Sequence, residues 1–201
     1  MIVGRTIPRG PGGPAYAVKT PATAIPAITL WQPWASLVAA GCKPNEFRRS
    51  VPPKAYRNQR IAIHAAARTI RKDEIKELLL KVTTQAGFGL SLNAELALPL
   101  LERWLHAYRD LPTMGVLCTA MLGEPVRATT LVPPSSLHLV DARVWAWPLS
   151  DIQAVAPFVR WPGEQGWWKW QPPKPAPDHS AAFGNMVAAF EAAHPEIDDA
   201  V

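Results

Sequence analysis

The chain has few of the groups that build metal centres and disulfide frameworks. Cys42 and Cys118 are its two cysteines in 201 residues, too few for a stapled scaffold, and two lone thiols suit a reducing compartment. Five histidines, at 64, 106, 138, 179 and 194, show no ligand spacing and are joined by no cysteine pair, so neither a metal nor another cofactor is expected. A Walker-type phosphate loop is missing, as is a dinucleotide fingerprint, which argues against the common P-loop and nicotinamide enzymes. No sustained apolar run opens the chain or reaches spanning length. Neither a signal peptide nor a membrane span is therefore expected, and a cytoplasmic location follows. Acidic residues are scarce in one stretch. From Lys43 to Lys72, Glu46 alone stands against Lys43, Arg48, Arg49, Lys54, Arg57, Arg60, Arg68, Arg71 and Lys72.

What is plentiful is proline, 22 residues, and tryptophan, 9. The prolines gather near the ends and in loops, which predicts extensions around a compact centre. A Pro/Gly-rich segment over 1–26 has too little apolar surface to offset its ordering entropy. A domain over 27–171 follows, then a stiff PPKPAP linker and a helix at 181–193 within an acidic tail over 172–201. That helix, with Phe183, Met186, Val187 and Phe190 on one face, would dock on the domain or on a second chain. The net charge is +5, which permits a polyanionic partner without demanding one.

Within the domain, Ile28 to Trp31 reads as a strand and Ile61 to Ala65 as the clearest strand. There Ile61 and Ile63 take one face and Arg60, Ala62 and His64 the other. Helices are expected over 69–82, capped by Thr69, and over about 99–108, or from an earlier start capped by Asn93 with Pro99 within its first turns, as an insertion covering roughly 70–110. Met114 to Leu122 reads as a central buried strand holding Cys118 as a core residue. Further strands are expected at 143–149 and 155–160, and Val126 to Thr130 extends the ladder. Trp161 to Trp170 is a glycine- and tryptophan-rich loop that closes one end.

The most informative stretch is Trp31 to Arg49. Pro33 suits the first helical position and Gly41 the one just past the helix end, where φ turns positive. Trp34, Leu37 and Val38 make one apolar face. Beyond Gly41 come Lys43, Glu46 and Arg48, at Gly-x-Lys-x-x-Glu-x-Arg spacing. On a strand over 45–49, Glu46 and Arg48 share a face and Phe47 points the other way. The helix end delivers Lys43 to the same place.

WQPWASLVAAG, that spacing, and RIAIHAA at Arg60 to Ala66 together resemble the ASCH domain family. Gly163, Gln165, Gly166, Trp168 and Trp170 resemble the family's late loop. The resemblance runs from about Ala27 to Gln171 and is weak between Ile70 and Leu111. It implies an α+β fold: a small PUA-like β-barrel of five to seven mixed and antiparallel strands, with flanking helices and a helical insertion. It also implies RNA binding, or hydrolysis of an acetylated cytosine base or of an RNA strand, with the motif lysine in the site. The family's hydrolases carry threonine where this chain has Glu46.

Two functions are therefore expected at one cleft. The first is binding of RNA, or of another nucleic acid or nucleotide, by Lys43, Arg48, Tyr56, Arg57, Arg60, Trp31 and Trp168, with cations on phosphates and rings on bases. The second is hydrolysis. A partly dehydrated Lys43 would act as base or nucleophile, Glu46 would relay protons and His64 would shuttle them. A cysteine nucleophile at Cys42, served by His64, is a weaker option. A protein-interaction module working through its tails is the reading from a different class.

Overall fold

The computed structural model describes residues 24–84 and 91–172. The expected extension, linker and terminal helix lie outside them, apart from the few residues next to the domain. Residues 24–171 form one compact unit.

Seven strands make one mixed sheet: β1 (Ile25–Leu30), β2 (Asn45–Arg48), β3 (Gln59–Ala65), β4 (Gly115–Leu122), β5 (Val126–Arg127), β6 (Trp145–Ala154) and β7 (Trp167–Trp170). Their order is β2-β6-β4-β3-β1-β7, with β5 also on β6. β1 runs parallel to β3, and the other pairs are antiparallel. The fold is the expected α+β, a curled half-barrel with helices. Its curl can be measured. β2 and β1 are four steps apart in the order, which in a flat sheet means roughly 19 Å. Yet Arg48 on β2 donates to the Thr29 carbonyl on β1 at 3.5 Å. The β2 end of the sheet bends back toward β1, and the site lies between those two strands.

Strand alternation sorts the core. Ile28, Ile61, Ile63, Cys118, Leu122 and Trp147 pack inside the curl with Val38 of α1 (Trp34–Ala39). Ala27, Ala62, Val116, Trp168 and Trp170 pack on the other face. Small residues at 27 and 62 leave room there for the two indoles. α2 (Lys72–Thr83) and α3 (Ala94–Ala107) form the insertion. Ile75, Leu78, Val82, Ala97 and Leu101 bury their faces against Leu37 and Cys42. One short helix thus carries two cores: Val38 faces the sheet and Leu37 the insertion. Among the described residues no helix is long and apolar enough to cross a membrane.

Several expectations are corrected. β1 begins at Ile25, three residues before the expected start. Pro33 sits at the helix N-cap rather than inside the first turn. α2 is entered not from Thr69 but at Arg71, whose backbone N–H is taken by Glu74 at 2.9 Å. α3 takes the earlier of its two expected starts, at Ala94 behind an Asn93 cap, and carries Pro99 within it. Its ring removes the amide that would have bonded to the Glu95 carbonyl and crowds that carbonyl, which in a helix interior costs about 3 kcal/mol. After β5 the chain turns into 3-10 helix at Ala128–Leu131 instead of extending the ladder. The segment after Gly166 is a strand on β1, not a loop.

The strand expected at 143–149 runs on as β6 over Trp145–Ala154, and the one expected at 155–160 is not a strand: there only Arg160 bridges to Gly115. The break in pattern at Ser150-Asp151 is a bulge. Opposite Thr119–Met121, β6 spends an extra residue, and Asp151 takes φ 46. A bulge bends a strand without ending it.

Candidate functional site

A cavity of about 850 Å³ opens between β1 and β2. β1 supplies Thr29 and Leu30, and the turn after it Trp31. α1 supplies Trp34; β2 and its approach supply Lys43, Glu46, Phe47 and Arg48. His64 comes from β3, and Met114 and the loop Pro162–Gly166 complete the wall.

Local rules bring the charged group together. α1 ends as its amides close on Ser36 and Val38, and Gly41 follows with φ 72. This reversal sends Lys43 back under the helix toward β2. Its Nζ donates to Glu46 Oε2 at 2.8 Å and to the Asn45 carbonyl. Arg48 Nε donates to Glu46 Oε1 at 2.9 Å. Glu46 is therefore clasped from both sides, one oxygen to each cation. Burial is unequal: the side chains of Lys43 and Glu46 are 5% and 10% exposed and that of Arg48 41%. The rings of Phe47 and Trp34 lie 5.3 and 5.8 Å from Nζ. Phe47, expected to point away, thus borders the same cavity.

Burial pushes the Lys43 amine below its ordinary pKa. Glu46 opposes this by charge and hydrogen bond, and Arg48 adds a smaller downward push. An ammonium with its solvation removed and one carboxylate to hold it gives up its proton more readily than a surface lysine.

His64 is 2% exposed. β4 spends an extra residue at Leu117 where it pairs with Ile63 and His64, and such a bulge re-aims the neighbouring side chain. Nε2 lies 2.9 Å from the Trp161 carbonyl, which can only accept, so Nε2 carries the proton and Nδ1 is left without a partner. Burial holds the imidazole below its ordinary pKa, against a smaller upward pull from that carbonyl. Gly163 covers the ring so closely that a Cβ there would meet Cε1 at 2.2 Å.

Of the residues anticipated for the site, Lys43, Glu46, Arg48, His64 and Trp31 line this cavity, and Tyr56, Arg57, Arg60 and Trp168 do not. Trp168 is buried, donates from Nε1 to Thr29 Oγ1 at 3.2 Å, and meets His64 edge-on. It holds the wall from behind. Tyr56 packs on Trp167, whose ring stacks on Trp147. Arg57 pairs with Glu124 at 3.4 Å, and Arg60 pairs with Asp151 and donates to Thr119. Cys42 is buried among the insertion residues, and burial raises its thiol pKa, which suits a packing role. Sequence reasoning missed Thr29, Trp34, Phe47 and Met114 as lining residues. Met114 had no local signal; its backbone takes φ 57 because its N–H bonds to Ala65 and its carbonyl to Trp161.

The basic run is therefore opposed in space though not in sequence. Arg49 meets Asp141, Arg57 meets Glu124, Arg60 meets Asp151, and Arg68 and Arg71 meet Glu74. Exposed pairs like these add little stability, but each leaves less free charge for a phosphate. The cavity itself is balanced, with Lys43 and Arg48 against Glu46 and Glu164. Arg57→Ala and Arg60→Ala should each lower stability by no more than about 1 kcal/mol. Each should shift ligand affinity less than roughly threefold, by a binding titration beside a urea melt. A tenfold loss of affinity from either would show that a phosphate track reaches them.

No family model matches the chain, and no curated protein does. Among solved structures it is similar to an ASCH protein from Zymomonas mobilis, at 15% identity and a TM-score of 0.40, covering 81% of this chain and 93% of that one. A serine-to-alanine mutant of the Zymomonas mobilis ASCH protein gives 15% and 0.40, covering 85% and 99%. At these values the similarity assigns no residue a role.

Proposed function

We propose that this chain binds one nucleobase, of an unpaired RNA position or of a free nucleoside or nucleotide, in the cavity at Lys43, Glu46 and Arg48. The observation that carries this reading is the pairing of a ring-lined wall with a floor of balanced charge. Trp34 and Phe47 offer faces for a flat ligand. Lys43 and Arg48 offer N–H donors already oriented by Glu46. A site of few convergent polar groups in an apolar cleft selects by hydrogen bonding and stacking rather than by net charge. The test is a calorimetric titration with the four common ribonucleosides. Binding should be measurable for at least one, and Phe47→Ala should weaken it about tenfold by removing one stacking face. Absence of binding by every base, or equal binding by ribose alone, would defeat the reading.

A second reading is favoured by one observation, a Lys43 amine buried away from water and held at 2.8 Å from the Glu46 carboxylate, where burial pushes its pKa down. Such an amine would take the proton of a water attacking an amide on a modified base, and Glu46 would pass it to the leaving amine. Lys43→Arg separates the two. Guanidinium keeps the positive charge but does not act as a base near neutral pH. In the binding reading it should retain affinity that Lys43→Ala loses. In the hydrolytic reading both variants should stop the release of acetate from an acetylated cytidine.

A further inference from the structure

The strongest feature outside the cavity is its rim. Trp31 is 61% exposed, an unusual state for an indole in a chain that buries Trp147, Trp168 and Trp170 to below a tenth. It is not loose. The Arg68 guanidinium carbon lies 4.8 Å from its ring, and Arg68 is held in turn by Glu74 at 2.6 Å. Trp31 also stands between two cavities. It lines the large one and a second of about 180 Å³, whose wall includes Arg68, Glu74, Glu77 and Lys81.

The second cavity is also balanced in charge. Arg68 is paired with Glu74, and Lys81 with Glu77 at 2.7 Å. A phosphate would find its two cations already engaged. What the rim does offer is flat surface: an indole backed by a guanidinium plane, both of which stack on bases.

We propose that the ligand is a single strand at least two nucleotides long, with one base in the large cavity and its neighbour stacked on the Trp31–Arg68 platform. This rests on the nucleobase reading of the cavity, and it adds that the site selects a strand over a free nucleoside. The phosphate between the two bases stays at the surface.

The experiment compares four ligands by calorimetry: the best-binding nucleoside, its 5′-monophosphate, its 3′-monophosphate and the dinucleoside monophosphate. The dinucleoside should bind roughly tenfold tighter than the nucleoside, the range that one added stacking contact supplies. Both monophosphates should bind like the nucleoside. Arg68→Ala removes the backing plane without touching the large cavity, and should abolish most of the dinucleoside's advantage while leaving nucleoside affinity in place. Trp31→Phe, which keeps a flat ring, should retain more of that advantage than Trp31→Ala. If the nucleoside binds and the dinucleoside binds no tighter, the platform is overturned and the cavity reading stands. If either monophosphate alone reproduces the whole gain, the gain is electrostatic and the platform is likewise overturned. If none of the four binds, both proposals fall.

Discussion

Glu46→Leu is expected to destabilise the folded chain by about 3–5 kcal/mol at neutral pH, the cost of stranding one partner of a buried ion pair. The stranded partner is Lys43, whose side chain is 5% exposed; Arg48, at 41%, can turn to water. The pH dependence gives the effect a signature. Burial already sets the Lys43 pKa below its unfolded value, and Glu46 supplies the two contributions that raise it. Without them the folded pKa falls further. The penalty of a charged Lys43 is fully present below the folded pKa and disappears as pH rises toward the unfolded one, because there the unfolded chain binds more protons than the native chain. The deficit of the variant against wild type should therefore narrow as pH rises toward the ordinary lysine range, measured by urea unfolding. A deficit that stays constant or widens would mean Lys43 is not the group left behind.

The second large effect is expected at Gly163. Any side chain there must enter space held by the His64 ring, whose Cε1 and Nδ1 would lie 2.2 and 2.4 Å from the new Cβ. The ring cannot step aside cheaply, since it is buried, bonded to the Trp161 carbonyl, and met edge-on by Trp168. Gly163→Val should cost about 1–3 kcal/mol in stability, as overpacking does. It should also reshape the cavity wall, so ligand affinity should fall alongside. The cause can be isolated with a double-mutant cycle. In a His64→Ala background the ring is gone, and Gly163→Ala should cost far less than in wild type, giving a coupling well above additivity. Additive costs would show that the glycine is needed for its backbone and not for the ring.

The motif and its turn were legible because their causes are local. Gly41 ends a helix, Lys43 follows within two residues, and Glu46 and Arg48 share a strand face by simple alternation. That Lys43, Glu46 and Arg48 come together follows from spacing, as does the apolar division of β3. What could not be read was set by distant partners. Glu124 reaches Arg57 across 67 residues and Asp151 reaches Arg60 across 91, so a run that looks like a bare cationic track is mostly paired. The bulge at Asp151 broke the alternation on which a single long β6 would have been recognised, and Pro148 in the middle of that strand added to the disguise. Phe47 was missed as a lining residue because alternation sorts the two faces of a strand and says nothing of a cleft that this four-residue edge strand borders. Trp31 and Trp168 looked alike in sequence. Only the sheet's curl separates an indole at the rim from one packed behind His64.

The central claim is that this site recognises a base through rings and a few oriented donors, with little help from phosphate charge. The most direct measurement is the salt dependence of affinity for a short single-stranded RNA. Each neutralised phosphate contributes about −0.7 to the slope of log affinity against log salt on a single strand. With Arg49, Arg57, Arg60 and Arg68 already engaged by carboxylates, the slope should be shallow, no steeper than about −1. A slope of about −3 or steeper, four or more phosphates held at once, would contradict it and return the basic run to the role of a backbone track.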